Sequence, residues 1–167
     1  YGDEVTLEDL FYYIYAILYS PTYRTKYEEF LMRDYPRIPL IDDVKAVRDL
    51  SKLGKELVDL HLMRNGQFWV NLPDHATFDV AGSNQVKKAK YEAGKVWIND
   101  TQYFDNVPEE CWNFYIGNYR VLEKWLKSRK QRQLTREEIT TFIGIVEVIK
   151  QTLALQNRID SILAPHL

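Results

Sequence analysis

Six basic side chains fall between Tyr119 and Arg132, against the single acid Glu123. Arg120, Lys124 and Lys127 recur four and then three residues apart, so on a helix they share one face, and Lys130 continues the row. Such a row can neutralise successive phosphates, each contact releasing a condensed counterion. A solvated helix face gives the same pattern and is its commoner origin. The surrounding charge is uneven. Residues 84–132 carry ten basic and six acidic side chains, whereas residues 1–63 carry eight and twelve, within a net charge of −2. No stretch has the spacing of a catalyst: there is no Gly-rich phosphate loop, no paired Cys or His at metal-ligand spacing, and no Ser or Cys nucleophile signature. Glu109-Glu110 could act as paired carboxylates. Pro108 ahead of them favours a helical turn with acids at its positive end. His61 has no second ligand three or four residues away and is read as a packing or surface residue.

The chain's 167 residues are enough for one domain with a sizeable core, and 46% apolar with 28% charged residues marks a globular sequence. Twelve Tyr, seven Phe and four Trp are read first as packing, and Trp112, Tyr119 and Trp125 are expected in the core. The single cysteine, Cys111, excludes an internal disulfide and a zinc ribbon and fits a reducing compartment. No apolar run approaches the ~20 residues of a membrane span. A cytoplasmic protein without membrane contact is expected.

The elements that must position these residues can be followed along the chain. Thr6 and Asp9 form a capping-box pattern for a first helix with Leu7, Leu10, Phe11, Ile14, Ile17 and Leu18 as its buried stripe. Ser20-Pro21 ends it and caps a second helix that turns Tyr23, Tyr27, Phe30 and Leu31 inward, before an extended Pro36-Arg37-Ile38-Pro39. A third helix starts from Asp42 or Asp43, buries Val44, Val47, Leu50, Leu53, Leu57 and Leu60, and stops at Asn65-Gly66. Phe68-Trp69-Val70 has strand composition, while Leu72-Pro73-Asp74-His75 and Ala81-Gly82-Ser83-Asn84 read as loops. Two short strands then flank a turn at Ala93-Gly94. An aromatic connector leads to a basic amphipathic helix over 119–130, with Val121, Leu122, Trp125 and Leu126 inward. Thr135 and Glu138 open a long last helix through Ile139, Phe142, Ile143, Val146, Ile149 and Leu153, with the basic helix as its antiparallel partner. The predicted fold is α+β: an N-terminal helical part, a small, mainly antiparallel sheet, and a closing C-terminal helical pair.

Three stretches together resemble a known family. They are Thr101-Gln102-Tyr103-Phe104 with Val107-Pro108-Glu109-Glu110-x-Trp112 and Ile116-Gly117-x-Tyr119-x-Val121-Leu122-x-Lys124-Trp125-Leu126-Lys127-x-Arg129; Leu134-Thr135-x-Glu137-Glu138-Ile139; and Tyr13-Ile14-Tyr15-Ala16-Ile17-Leu18-x-Ser20-Pro21 with Tyr23-Arg24, Tyr27, Phe30-Leu31 and Pro36-Arg37-Ile38-Pro39. The pattern is similar to the C-terminal specificity (target-recognition) domain of type ISP restriction–modification enzymes and related adenine-specific DNA methyltransferases. The stretch from Met63 to Gln85 matches poorly.

The resemblance implies a non-catalytic domain that reads a short double-stranded DNA sequence for an N6-adenine methyltransferase. It implies that residues 1–40 are a helical connector to a methyltransferase domain absent here, and that 41–167 are the specificity domain. The chain opens at Tyr1 almost directly in a helix and is expected to be a piece of something longer. The cofactor, S-adenosylmethionine, is expected in the linked domain and none in this chain. The nearest approach to the Asn/Asp-Pro-Pro-aromatic catalytic motif, Asn71-Leu72-Pro73-Asp74, lacks the second proline and the aromatic. Arg120, Lys124, Lys127 and Lys130 are then the expected phosphate contacts. Base readout must vary among such enzymes, so it is expected in the poorly matching stretch and its continuation, at Arg64, Asn65, Gln67, Asn84, Gln85, Lys87 and Lys88. Asn65 and Asn84 could equally be turn residues. The competing readings are a protein-interaction module for docking or dimerisation and an enzyme with an unrecognised site.

Overall fold

A computed structural model of the chain describes residues 5–64 and 74–167. The chain divides into two compact units, Tyr1–Asn65 with Gln151–Leu167, and Gly66–Lys150.

The first unit is helical. Helix α1 (Leu7–Tyr19) begins at Thr6, whose side chain accepts from the Asp9 amide while the Asp9 carboxylate accepts from the Thr6 amide, the expected capping box. Its buried face differs from the predicted stripe. Tyr12, Tyr13, Ala16 and Ile17 are buried, whereas Leu7 is 88% and Phe11 55% exposed. Close approach to α4 (Val44–His61) explains the rotation: a Cβ added at Gly54 would lie 1.9 Å from the Tyr12 carbonyl oxygen, and buried Ser51 donates to the Asp9 carbonyl. Tyrosines can line this face because their hydroxyls leave it: Tyr13 donates to the Pro39 carbonyl (2.7 Å) and Tyr12 to Glu8 (2.9 Å).

Ser20 caps α2 (Pro21–Lys26), as Ser20-Pro21 predicts, and also donates to Asp160. The second helix breaks at Tyr27, leaving α3 (Glu28–Leu31) as a separate turn; Tyr23 is buried but Phe30 is not. Asp43 caps α4, and α4 ends with Met63 in the left-handed region and the Arg64 amide donating to the Asp59 carbonyl. The predicted stop at Asn65-Gly66, the Phe68-Trp69-Val70 strand and Leu72-Pro73 of the 72–75 loop lie outside the described residues.

The second unit holds the sheet. Strands β1 (Lys90–Glu92) and β2 (Lys95–Trp97) pair antiparallel around Ala93 and Gly94, both at positive φ (50° and 80°), and β3 (Tyr103–Phe104) joins β2. Two positive φ values are what a tight primed hairpin turn requires. After α5 (Glu109–Trp112) the chain departs from the prediction. Tyr119 and Arg120 are not the start of a helix but form β5, paired with β4 (Tyr115–Ile116) around Gly117, and α6 is only Val121–Lys127. Tyr119 is 44% exposed and so not a core residue; Trp112 is buried and Trp125 half-buried.

The core of this unit gathers Val96, Ile98, Phe104, Leu122, Leu126 and Phe142. Phe104 stacks on Phe142 at 4.1 Å. Cys111 lies fully buried here, and burial pushes its thiol up to about 12. Helix α7 (Arg136–Leu163) opens with the predicted Thr135–Glu138 capping box. Arg129 meets Glu138 and Trp125 meets Phe142, so α6 and the start of α7 run antiparallel, as expected.

Candidate nucleic-acid interface

The segment 84–88 is stitched on both sides. On one side the Val86 amide donates to the Arg132 carbonyl (2.9 Å), and the Gln131 and Leu134 amides donate to the carbonyls of Val86 (2.7 Å) and Asn84 (2.9 Å). On the other, the amides of Lys87 and Lys88 both donate to the single carbonyl of Ile98, at 2.7 and 2.9 Å. Two residues facing one is a bulge, and a bulge re-aims side chains that would otherwise alternate across a strand. Lys87 and Lys88 are accordingly both exposed and line one shallow cleft of about 90 Å³ with Lys127 and Lys130. Val86, buried, and Ala89 complete its wall.

Four lysine side chains from two chain segments far apart in sequence therefore line one cleft. Two have acidic neighbours: Lys88 pairs with Asp100 at 2.8 Å and Lys127 with Glu123 at 2.7 Å. The hydrogen bond from Lys88 holds the Asp100 carboxyl below its ordinary value. Asp100 is largely exposed, and such pairs are weak enough to be exchanged for a phosphate. The neighbouring arginines are more firmly committed. Arg129 stacks on Trp125 at 3.6 Å and bonds Glu138, which also holds Arg132 at 3.1 Å.

A buried amide network fixes the segment that carries Lys87 and Lys88. Gln102, fully buried, donates through Nε2 to the Val80 carbonyl and to Asn84 Oδ1, both at 2.8 Å. Its Oε1 accepts from the Asn84 amide (2.8 Å) and from Asn99 Nδ2 (3.0 Å). Asn99 Nδ2 also donates to the Gln85 carbonyl, and its Oδ1 accepts from the amides of Thr101 and Gln102. An added Cβ at Gly82 would lie 2.5 Å from the Gln102 side-chain amide, so the loop is packed against it. Sequence reasoning did not single out Gln102 or Asn99 for this task. The available signal was Asn99-Asp100-Thr101 directly after strand residues, an Asx-turn pattern.

The expected site residues fall into different places. Lys87, Lys88, Lys127 and Lys130 come together, which joins half of the expected phosphate contacts to two of the expected base readers. Lys124 lies over the Tyr119 ring at 3.7 Å. Arg120 is half-buried at the base of the β4–β5 hairpin, its guanidinium 5.3 Å from both the Trp112 and Tyr115 rings and 3.4 Å from Glu123. Asn84 adopts positive φ (55°) and spends its amide on Gln102, while Gln85 donates to the Gln131 carbonyl at 3.2 Å. Asn84 thus has the positive φ of a turn residue, but with Gln102 as its partner. Arg64 belongs to the helical unit and pairs with Asp59 at 3.4 Å. Asn65 and Gln67 lie outside the described residues.

Among the described residues no group of His, Cys, Asp and Glu is placed to hold a metal, and no helix is long and apolar enough to cross a membrane. The family model described as Type ISP C-terminal specificity domain matches residues 1–157. No curated protein is similar enough in sequence to match. Three solved structures are similar in fold. A nuclease-deletion mutant of the Type ISP restriction–modification enzyme LlaGI, in complex with a DNA substrate mimic, gives TM-score 0.67 and 23% identity over 92% of this chain. The ATP-dependent Type ISP enzyme LlaBIII bound to DNA gives 0.70 and 22% over 93%, and a DrdV–DNA complex gives 0.71 and 20% over 94%. The matched regions span 14%, 11% and 18% of those chains.

Proposed function

The chain belongs to the Type ISP C-terminal specificity domain family, and we propose that it recognises a short duplex DNA sequence on behalf of a restriction–modification enzyme. The observation that carries this reading is the lysine cleft, where Lys87, Lys88, Lys127 and Lys130 converge on a backbone fixed by a bulge and a buried amide network. Phosphate contacts of this kind set register and orientation, while base discrimination comes from other groups brought into a groove. In this reading the chain performs no chemistry. Methyl transfer from S-adenosylmethionine to adenine belongs to a covalently linked methyltransferase domain, and the isolated chain transfers no methyl group. Equilibrium binding of the full-length protein to 30-bp duplexes across a salt series tests the proposal. The expected result is affinity that falls steeply with salt. Binding that is absent at low salt, or indifferent to salt, would overturn it.

A second role as a contact module is favoured by a specific observation in the helical unit. Leu7, Met32, Tyr35 and Leu40 are 74–88% exposed, and Tyr35 borders an apolar pocket of about 140 Å³ with Tyr23, Tyr27 and Phe30. We assign this surface to packing against the linked methyltransferase domain, in keeping with a connector role for residues 1–40.

A further inference from the structure

We propose that the β4–β5 hairpin is a second DNA-contacting element, a two-stranded ribbon that enters a groove with Asn118 at its tip. The inference rests on the DNA-binding reading above and adds a site that the lysine cleft does not include.

Among the described residues of the unit spanning Gly66–Lys150, the exposed large apolar side chains are Tyr115, Ile116 and Tyr119, at 52%, 46% and 44%. All three stand on one four-residue ladder, in which Tyr115 pairs with Arg120 and Ile116 with Tyr119. Gly117 turns the ribbon at φ 58°, the first position of a II′-type turn, and Asn118 is exposed beside it. The hairpin is held firmly at its base. Arg120 lies between Trp112 and Tyr115 and reaches Glu123, Lys124 covers Tyr119, and the Val121 amide donates to the Phe114 carbonyl at 3.1 Å. A rigid ribbon with an apolar, aromatic end is costly to leave in water, so its surface calls for an occupant.

Charge identifies that occupant. Glu123 is the single acid between Asn113 and Arg132, and the cations Arg120 and Lys124 at the hairpin's base lead along α6 to Lys127 in the lysine cleft. Aromatic faces beside cations suit a polyanion with planar bases. Three side chains are also far short of the roughly 800 Å² per partner that a stable protein interface needs. A major groove about 12 Å wide admits a two-stranded ribbon. At its tip Asn118, whose side chain has no hydrogen-bond partner among the described residues, offers the donor and acceptor that pair with adenine N7 and N6. Asn84 and Gln85, by contrast, spend their amides internally.

The test uses the full-length protein and a pool of 30-bp duplexes of random sequence, with selection for bound members. The variant Tyr115→Ser/Ile116→Ser/Tyr119→Ser should still fold and melt only slightly below wild type, because the three side chains are about half exposed and the loss is confined to the ring contacts with Arg120 and Lys124. It should bind at least about tenfold more weakly with an unchanged salt slope, since apolar contacts release no counterions. Asn118→Ala should erase a preference of about fivefold or more at one base position and leave the others. A triple variant with Kd within about twofold of wild type, or one that alters only self-association of the protein, overturns the hairpin proposal and leaves the cleft reading standing. Wild-type protein that binds no duplex overturns both.

Discussion

Gln102→Glu is the substitution that most sharply separates a hydrogen-bond network from mere packing. The two side chains have nearly the same volume, so a packing role predicts a change below about 1.5 kcal/mol. The network predicts more. Gln102 Nε2 donates to the Val80 carbonyl and Asn84 Oδ1, both at 2.8 Å, and a carboxylate would oppose two oxygens there instead. Each orphaned acceptor costs about 1–3 kcal/mol, and burial of an ionised carboxylate adds to that. Water reaching Asn84, which is half-buried, offsets part of the cost, so about 3 kcal/mol of destabilisation is expected at neutral pH. The same reasoning fixes a pH dependence. Burial beside acceptors raises the folded-state pKa of the new carboxyl above its unfolded value. The folded state then binds the extra proton, and stability recovers as pH falls. All four tryptophans lie in the unit spanning Gly66–Lys150, so urea unfolding followed by tryptophan fluorescence reports this unit. A Gln102→Glu protein within about 0.5 kcal/mol of wild type at pH 7.5, or one that weakens further at pH 5, would refute the network's role.

Gly54→Ala should destabilise the helical unit by about 2 kcal/mol or more despite a helix-propensity gain of about 1, because the new Cβ meets Tyr12 backbone at 1.9 Å; calorimetric melting checks it. His61 is half-buried with its ring nitrogens 2.8 Å from the Tyr15 hydroxyl and 2.9 Å from Thr152 Oγ1, and burial holds its pKa below the ordinary 6.5. Its unfolded form takes up a proton first, so its contribution is present above pH 6.5 and is lost as pH falls below that value. Melting of His61→Gln should lose this acid sensitivity. Cys111 should resist an aqueous thiol reagent in the native protein and react only on unfolding, since burial disfavours its thiolate.

The sequence exposed its local signals well. Thr6 with Asp9, Ser20 before Pro21, Asp43, Thr135 with Glu138, and Ala93-Gly94 all act within four residues, and each does in the fold what its type and spacing imply. What depended on distant partners was not legible. The buried face of α1 is set by the approach of Gly54 and Ser51 on α4, which lets tyrosines replace the expected aliphatic stripe. Arg120, Lys124 and Lys127 have helical spacing, and that periodicity masked the Gly117-Asn118 turn, itself a recognisable hairpin signal between aromatic flanks. The lysine cleft required Ile98 to accept two amides and residues 131–134 to return beside 84–86, neither of which has a sequence signature. Asn84 and Gln85 have the right chemistry for base edges, but the fold spends their amides on Gln102 and the Gln131 carbonyl.

The central claim is that the four lysines of the cleft meet phosphates. It is tested most directly by the slope of log Kd against log salt for the full-length protein on duplex DNA, compared with Lys87→Gln/Lys88→Gln/Lys127→Gln/Lys130→Gln. Each lost phosphate contact should flatten the slope by about 0.9, so the account predicts a reduction of about 3.6 units for the four lysines with melting unchanged. A variant that folds normally and keeps the wild-type slope would contradict it.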